Sequence, residues 1–204
     1  MRSDEPDTAR SRPAAREALL DAAAAIMREH GIARTRTRNV AQRAGYSEAT
    51  MYKHFADKTD LMLAVLQERS TAFTQLAAAL ADHSGSLEEA LTRIARAAIA
   101  FYVDNFPMLA SIFADPQVLD GHRDALRERG LGPHHVNEAV AAYLRSEMEA
   151  GRIGPDSDPY AGAGLLVGAC MQHAFLGHMG WADQRTAEAA AVSFARTVID
   201  GLSG

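Results

Sequence analysis

The chain has 204 residues, a hydrophobic fraction of 48%, a charged fraction of 23% and a formal net charge of −5, which suits one large domain or a small domain joined to a medium one. Its single cysteine, Cys170, excludes an internal disulfide framework and suits a reducing compartment. The polar stretch through Pro13 has no apolar signal segment, and no run approaches the ~18 apolar residues that span a bilayer, so a cytoplasmic protein with no membrane partner is expected.

Charge is unevenly spread along the sequence. Residues 1–69 carry a balance of +2 and the remainder −7. Between Arg28 and Lys58 seven basic residues meet three acidic ones, and the only two lysines, Lys53 and Lys58, both fall there. Such a local excess suits a polyanionic partner, but small imbalances also arise by chance and charge alone decides nothing.

In chain order, residues 1–12 read as a flexible tail and 14–30 as a first helix, with Leu19, Leu20, Ala23, Ile26 and Met27 along one side. Pro13 is tolerated in a first turn and Gly31 is placed to end the helix. A short second helix spans about 37–44, with Thr37 as N-cap. Gly45 supplies the turn, since a residue without Cβ takes positive φ cheaply. Ser47 caps a third helix that stops near His54. A long fourth helix starts at Asp57, where Asp57 and Asp60 resemble a capping box. Its stripe of Met62, Leu66, Phe73, Leu76 and Leu80 runs on toward Gly85.

Beyond it, 87–105 reads as one helix, 107–114 as a short one, 116–132 as a looser stretch and 133–150 as a helix. The segment "GRIGPDSDP" is a loop, and 160–178 and 186–202 are the last two helices. No stretch alternates apolar and polar residues over strand length. The expected fold is all-α.

Two short helices joined by a tight Gly-containing turn have helix-turn-helix spacing. Val40, Ala41 and Ala44 on one helix, with Met51 and Phe55 on the next, can lock the pair. That leaves Tyr46, Ser47, Glu48, Thr50, Tyr52, Lys53 and His54 facing outward. Serine, threonine, tyrosine and lysine are residues that hydrogen-bond phosphate oxygens and base edges. The surface wanted is DNA.

The run "TRTRNVAQRAGYSEATMYKHFADKTDLMLAVL" closely resembles the DNA-binding signature of TetR-type transcriptional regulators. The matching features are the "VAQRAG" helix, the "YS" turn, the "ATMYKHF" recognition helix and "DKTDL" opening the next helix. The likeness covers about residues 14–66. Arg36, Tyr46 and Ala49 depart from the usual threonine, valine and glycine, which bears on the operator sequence and not on the motif.

The resemblance implies an N-terminal DNA-binding domain (13–58) and a helical ligand-binding and dimerisation domain (59–204). It implies that Thr37 touches phosphate, that Ser47, Glu48, Ala49 and Thr50 face the major groove, and that Tyr52 and His54 hold the DNA backbone. Lys53 takes a phosphate or a base, Lys58 a phosphate, and Arg36 and Tyr46 complete the DNA-binding set. Glu48 either accepts from a cytosine amine or stabilises its helix N-terminus. The implied function is a homodimeric repressor, not an enzyme, that binds a palindromic operator and leaves it when a small molecule binds. No cofactor is expected.

Phe101, Phe106, Met108, Ile112, Phe113, Met171, Phe175 and Trp181 are the candidates to line a cavity for an effector of apolar or aromatic character. Gly164 and Gly168, with Ala187, Ala191, Phe194 and Val198 on the last helix, are the candidates for a dimer interface; intrachain packing is the other use for such residues. Gly162, Gly164 and Gly168 mimic a nucleotide loop, but no strand precedes them. A rival reading is a helical metal sensor or enzyme built on His134, His135, Cys170, His173 and His178. Cys170 and His173, one helical turn apart, could share a metal, whereas a lone buried cysteine behaves as a small hydrophobe. No metal site is expected.

Overall fold

The computed structural model describes residues 12–181 and 185–202, and every regular element among them is an α-helix, as expected from the sequence. The expected tail lies outside the described residues except for Arg12. Two compact units divide the chain. The first takes the described residues through Arg69 together with Ser111–Ala125; the second takes Ser70–Ala110 and the described residues from Leu126 onward.

The first unit begins with α1 (Arg12–Arg34), whose residues Leu19, Leu20, Ala23, Ile26 and Met27 are buried as their spacing predicts. Gly31, at φ 74° and ψ 168°, breaks the helical path, a conformation open to a residue without Cβ. The buried Thr35 hydroxyl donates to the Gly31 carbonyl at 2.8 Å, satisfying an acceptor released at that break. Next come α2 (Thr37–Ala44), α3 (Glu48–Tyr52) and α4 (Lys58–Arg69). α1 packs on α2 and α4, and α2 on α3. Val40, Ala41, Met51 and Phe55 are all buried. Asp57 Oδ1 accepts from the Asp60 N–H at 2.7 Å, and Asp60 Oδ2 from the Ala56 N–H at 2.9 Å. The reciprocal box foreseen at the start of α4 is present.

A charged clamp joins α1 to α4. Arg16 donates to both oxygens of Glu68, at 2.8 and 2.5 Å, and Arg69 donates to Asp21 at 2.7 Å and to Glu17. The Arg16 guanidinium also lies 5.4 Å from the Phe55 ring centre, a cation–π distance.

The second unit holds α5 (Thr71–Ala81), most of α6 (Leu87–Phe113), the end of α7 (Pro116–Glu128), α8 (His134–Glu149), α9 (Pro159–His178) and α10 (Ala187–Leu202). Leu91, Ile94, Ile99, Leu144, Leu166 and Cys170 are at the centre of its core. α9 packs against both α8 and α10, and α5 against α8. Asp158 caps α9 by accepting from the N–H groups of Tyr160 and Ala161, with Pro159 in the first position. No single described helix is long and apolar enough to cross a membrane.

Three expectations about element boundaries are corrected. The long fourth helix is two helices. Ser70, at φ −95° and ψ 105°, leaves the helical region and accepts from the Phe73 N–H as the N-cap of α5. Its hydroxyl is also 3.3 Å from Asn105 Nδ2, so a residue distant in sequence helps to hold the break. Second, residues 116–132 are not loose throughout: Asp115 Oδ1 accepts from Gln117 N–H at 3.0 Å, and α7 follows with Pro116 in its first position.

Third, Pro107 does not end a helix, because α6 runs through it to Phe113. A proline inside a helix donates no hydrogen bond to the carbonyl four residues earlier, here that of Val103. His178 Nε2 lies 3.0 Å from that oxygen and its ring stacks on Phe106 at 5.4 Å. A carbonyl only accepts, so Nε2 carries the proton and replaces the donor that Pro107 lacks.

Candidate nucleic-acid interface

The geometry of the α2–α3 pair is fixed by its turn. Gly45 adopts φ 78° and ψ 27°, and the N–H of Tyr46 reaches back to the Ala41 carbonyl at 2.9 Å. Ser47 Oγ then accepts from the Thr50 N–H at 3.1 Å and lies 2.9 Å from the Thr50 hydroxyl. On this frame Arg36, Ser47, Ala49, Tyr52 and Lys53 are exposed, while Thr37, Glu48, Thr50, His54 and Lys58 are half-buried. Tyr46 differs from the outward placement its position suggested. Its hydroxyl oxygen is buried and has no hydrogen-bond partner among the described residues.

Glu48 has a role the sequence did not show. The Thr37 hydroxyl donates to Glu48 Oε1 at 2.5 Å, and the Tyr52 hydroxyl lies 3.5 Å from Thr37 Oγ1. The first turn of α2 is thereby tied to the first turn of α3. The Glu48 carboxylate thus holds a hydroxyl of its own protein. Eleven residues separate Thr37 from Glu48 in sequence, and no local pattern signals the pair.

The cations of the first unit fall into two groups. Arg16, Arg43 and Arg69 are all engaged by carboxylates. Arg43 holds Glu29 at 2.7 and 2.8 Å, which pushes the guanidinium pKa up and the carboxyl pKa down. Arg36, Arg38 and Lys53 are exposed and meet no carboxylate among the described residues. Lys58 is intermediate: burial lowers its pKa, and the charge of Asp115 partly opposes that. An exposed cation with no internal partner can meet a phosphate without breaking an ion pair, and phosphate neutralisation supplies most sequence-independent DNA affinity. These three sit on α2, just before it, and at the end of α3; Arg28 on α1 is likewise exposed with no ion pair among the described residues.

Residues 19–65 match the family of bacterial regulatory proteins, tetR family. That segment is a tetR-type helix-turn-helix DNA-binding domain. Over 135 residues it is 24% identical to the uncharacterized HTH-type transcriptional regulator YvkB of Bacillus subtilis (strain 168), covering 66% of this chain and 68% of that one. A Mesorhizobium loti MAFF303099 structure assigned to TetR-family regulators superposes with a TM-score of 0.72 at 22% identity, over 95% of this chain and 98% of the other. The SmeT–triclosan complex superposes with a TM-score of 0.64 at 20% identity, over 94% and 92%. The two structural likenesses establish the fold, a tetR-type helical architecture.

The residues picked for an effector cavity fall in both units. Ile112 and Phe113 belong to the first unit; Phe101, Phe106, Met108, Met171, Phe175 and Trp181 belong to the second. Phe106 lies 5.7 Å from Phe175, and Phe101 packs 6.2 Å from Phe73. Phe113 and Trp181 are 69% and 72% exposed. Val103, His173, Ala174, Gly177 and His178 line a cleft of about 240 Å³ beside the Phe106–His178 stack, below the ~300–1,000 Å³ of ordinary small-molecule pockets.

The dimer candidates also separate. Gly164 and Gly168 are half-exposed, and a Cβ added at either would meet no atom within 4 Å. Ala187 is exposed and Phe194 half-buried beside His173 and under the Arg185 guanidinium. Ala191 and Val198 are buried in the core of their own unit, so they serve intrachain packing. Cys170 is fully buried with its Sγ 3.5 Å from the Ala95 carbonyl, and burial pushes its thiol pKa up to about 12. His173 lies edge-on to Phe194, with ring centres 6.2 Å apart.

Proposed function

We propose that the protein is a homodimeric repressor that grips a palindromic operator in two successive major grooves and leaves it when a small molecule binds the C-terminal helical domain. The observation that carries this reading is the set of uncompensated cations Arg36, Arg38 and Lys53 on a tetR-type helix-turn-helix. In it, residues 13–58 form the DNA-binding domain. Ser47, Ala49 and Thr50 read base edges, Thr37, Tyr52, Lys53, His54 and Lys58 hold the backbone, and Glu48 keeps Thr37 in place. Tyr46 supports the turn from within. The second protomer docks on the accessible side of α9 at Gly164 and Gly168. An effector of aromatic or apolar character is supported by the triclosan complex of SmeT, and the cleft beside Phe106 and Phe175 is its entrance. The protein acts in the cytoplasm.

Selection from random DNA duplexes tests this reading. The expected product is an inverted repeat whose half-site centres lie ~34–36 Å apart, or a multiple of it, bound by an even number of protomers. Enrichment of no sequence, or of a single unrepeated site bound by one chain, would overturn it.

A further inference from the structure

We propose a divalent transition-metal site at the start of α8, formed by His134, His135 and Glu138. It uses none of the residues assigned to DNA, effector or dimer contacts, and neither Cys170 nor His173. One ligand atom from each of the three residues can be chosen so that all lie within 4.8 Å of one another, the only such His/Cys/Asp/Glu group among the described residues. His135 Nδ1 is 3.0 Å from Glu138 Oε2, and the two imidazole centres are 4.2 Å apart. A tetrahedral ion with bonds of ~2.0–2.1 Å keeps its ligand atoms about 3.3 Å apart. The three donors, now within 4.8 Å of one another, need to close to about that separation to share one such face.

The surrounding loop is arranged as the second layer of a metal site is. His135 Nε2 lies 2.8 Å from the Gly130 carbonyl. That oxygen accepts, so Nε2 carries a proton; the Glu138 carboxylate also accepts, so without metal Nδ1 donates to it, and a bound ion takes the place of that second proton between Nδ1 and Glu138. A ligating imidazole backed by a carbonyl in this way has its tautomer and ring orientation fixed. The Gly130 carbonyl is itself held: Gly130, at φ 59°, donates to the Arg127 carbonyl at 3.1 Å, and Leu131 N–H donates to that of Leu126 at 2.9 Å. A Cβ at Gly132 would fall 2.4 Å from His134 Nδ1, so glycine leaves the volume that this ring occupies. All three side chains are exposed, which leaves the remaining coordination positions to water.

The donor set selects the ion. Two imidazoles and one carboxylate suit zinc, copper(II) or nickel, whereas calcium and magnesium take oxygen ligands. A bound ion would cross-link the loop before α8 to the first turn of that helix.

The test uses the full chain, stripped of metal with a chelator and titrated with Zn2+ in competition with a chromophoric chelator. The wild type is expected to take one ion per chain at micromolar free zinc. H134A/H135A and, separately, E138Q should weaken binding by at least about tenfold, with unchanged circular dichroism because the replaced side chains are exposed. H30A, at an exposed histidine on α1, should bind as the wild type does. Absence of zinc uptake by the wild type, or uptake unchanged in both H134A/H135A and E138Q, would overturn the proposal.

Discussion

The outer faces of α3 and α9 are both accessible, and they are built from opposite chemistry. On and around α3 the exposed positions are Ser47, Ala49, Tyr52 and Lys53, joined by Arg36 just before α2 and Arg38 on it. On α9 they include Tyr160, Ala161, Leu165, Met171, Gln172 and Phe175, with half-exposed Gly164 and Gly168 among them. Leu165 is 68% exposed, and leaving a residue of that kind in water forgoes ~1.5–3 kcal/mol of burial. The first face lacks counter-charges; the second lacks apolar cover. A surface short of anions is completed by a polyanion, and one short of apolar contact by another apolar surface. In the proposed reading one helix is finished by DNA and the other by a second protomer.

That contrast can be broken from beneath. Phe55 is 2% exposed, and with Met51 it fixes α3 to its own unit. Phe55→Ala should cost ~3–5 kcal/mol, read as a lower urea midpoint, and DNA binding should be lost with the fold. The α9 face responds to a lighter change. Leu165→Asp should leave the protomer folded and weaken dimerisation at least tenfold, about 1.4 kcal/mol, in sedimentation runs across a dilution series. A dimer of unchanged affinity would move the interface elsewhere.

His178→Phe probes the far end of the same helix. It keeps a ring against Phe106 but removes the donor to the Val103 carbonyl. The expected loss is about 0.5–1.5 kcal/mol, measured by denaturation, with the secondary structure unchanged. The smallest effect belongs to the clamp between α1 and α4. The Arg16 hydrogen bond holds the Glu68 carboxyl below its ordinary value of 4.5. Its contribution is therefore complete above about pH 4.5 and is lost as pH falls through the lowered value. Both side chains are about a third exposed, which keeps the pair near ~0.2–1 kcal/mol. Glu68→Gln should remove that amount at pH 7, and its acid denaturation curve should lack this part of the slope.

The helix-turn-helix was legible because its determinants are local. Gly45, Ser47 and the Asp57–Asp60 pair each act within four residues of their own position, and each does what its side chain suggests. The misread elements depend on partners that sequence spacing does not show. Ser70 breaks a helix with Asn105 beside it, 35 residues away, and Pro107 is tolerated because His178, 75 residues from Val103, supplies the missing donor. The DNA face was readable as a set of residue types, but the Thr37–Glu48 bond and the inward Tyr46 hydroxyl were not. On α10 the apolar spacing was right and its direction ambiguous. Ala191 and Val198 turned inward, because a helix packed on one side and docked on the other shows the same periodicity for both uses.

The central claim, that the uncompensated cations near α3 are there for phosphate, is tested most directly by the salt dependence of operator binding. Affinity for the selected duplex is measured by fluorescence anisotropy at several salt concentrations, for the wild type and for Lys53→Ala, whose side chain is exposed. The account predicts weaker binding by the variant and a slope of log K against log salt shallower by about one per protomer. An unchanged affinity and an unchanged slope would contradict it.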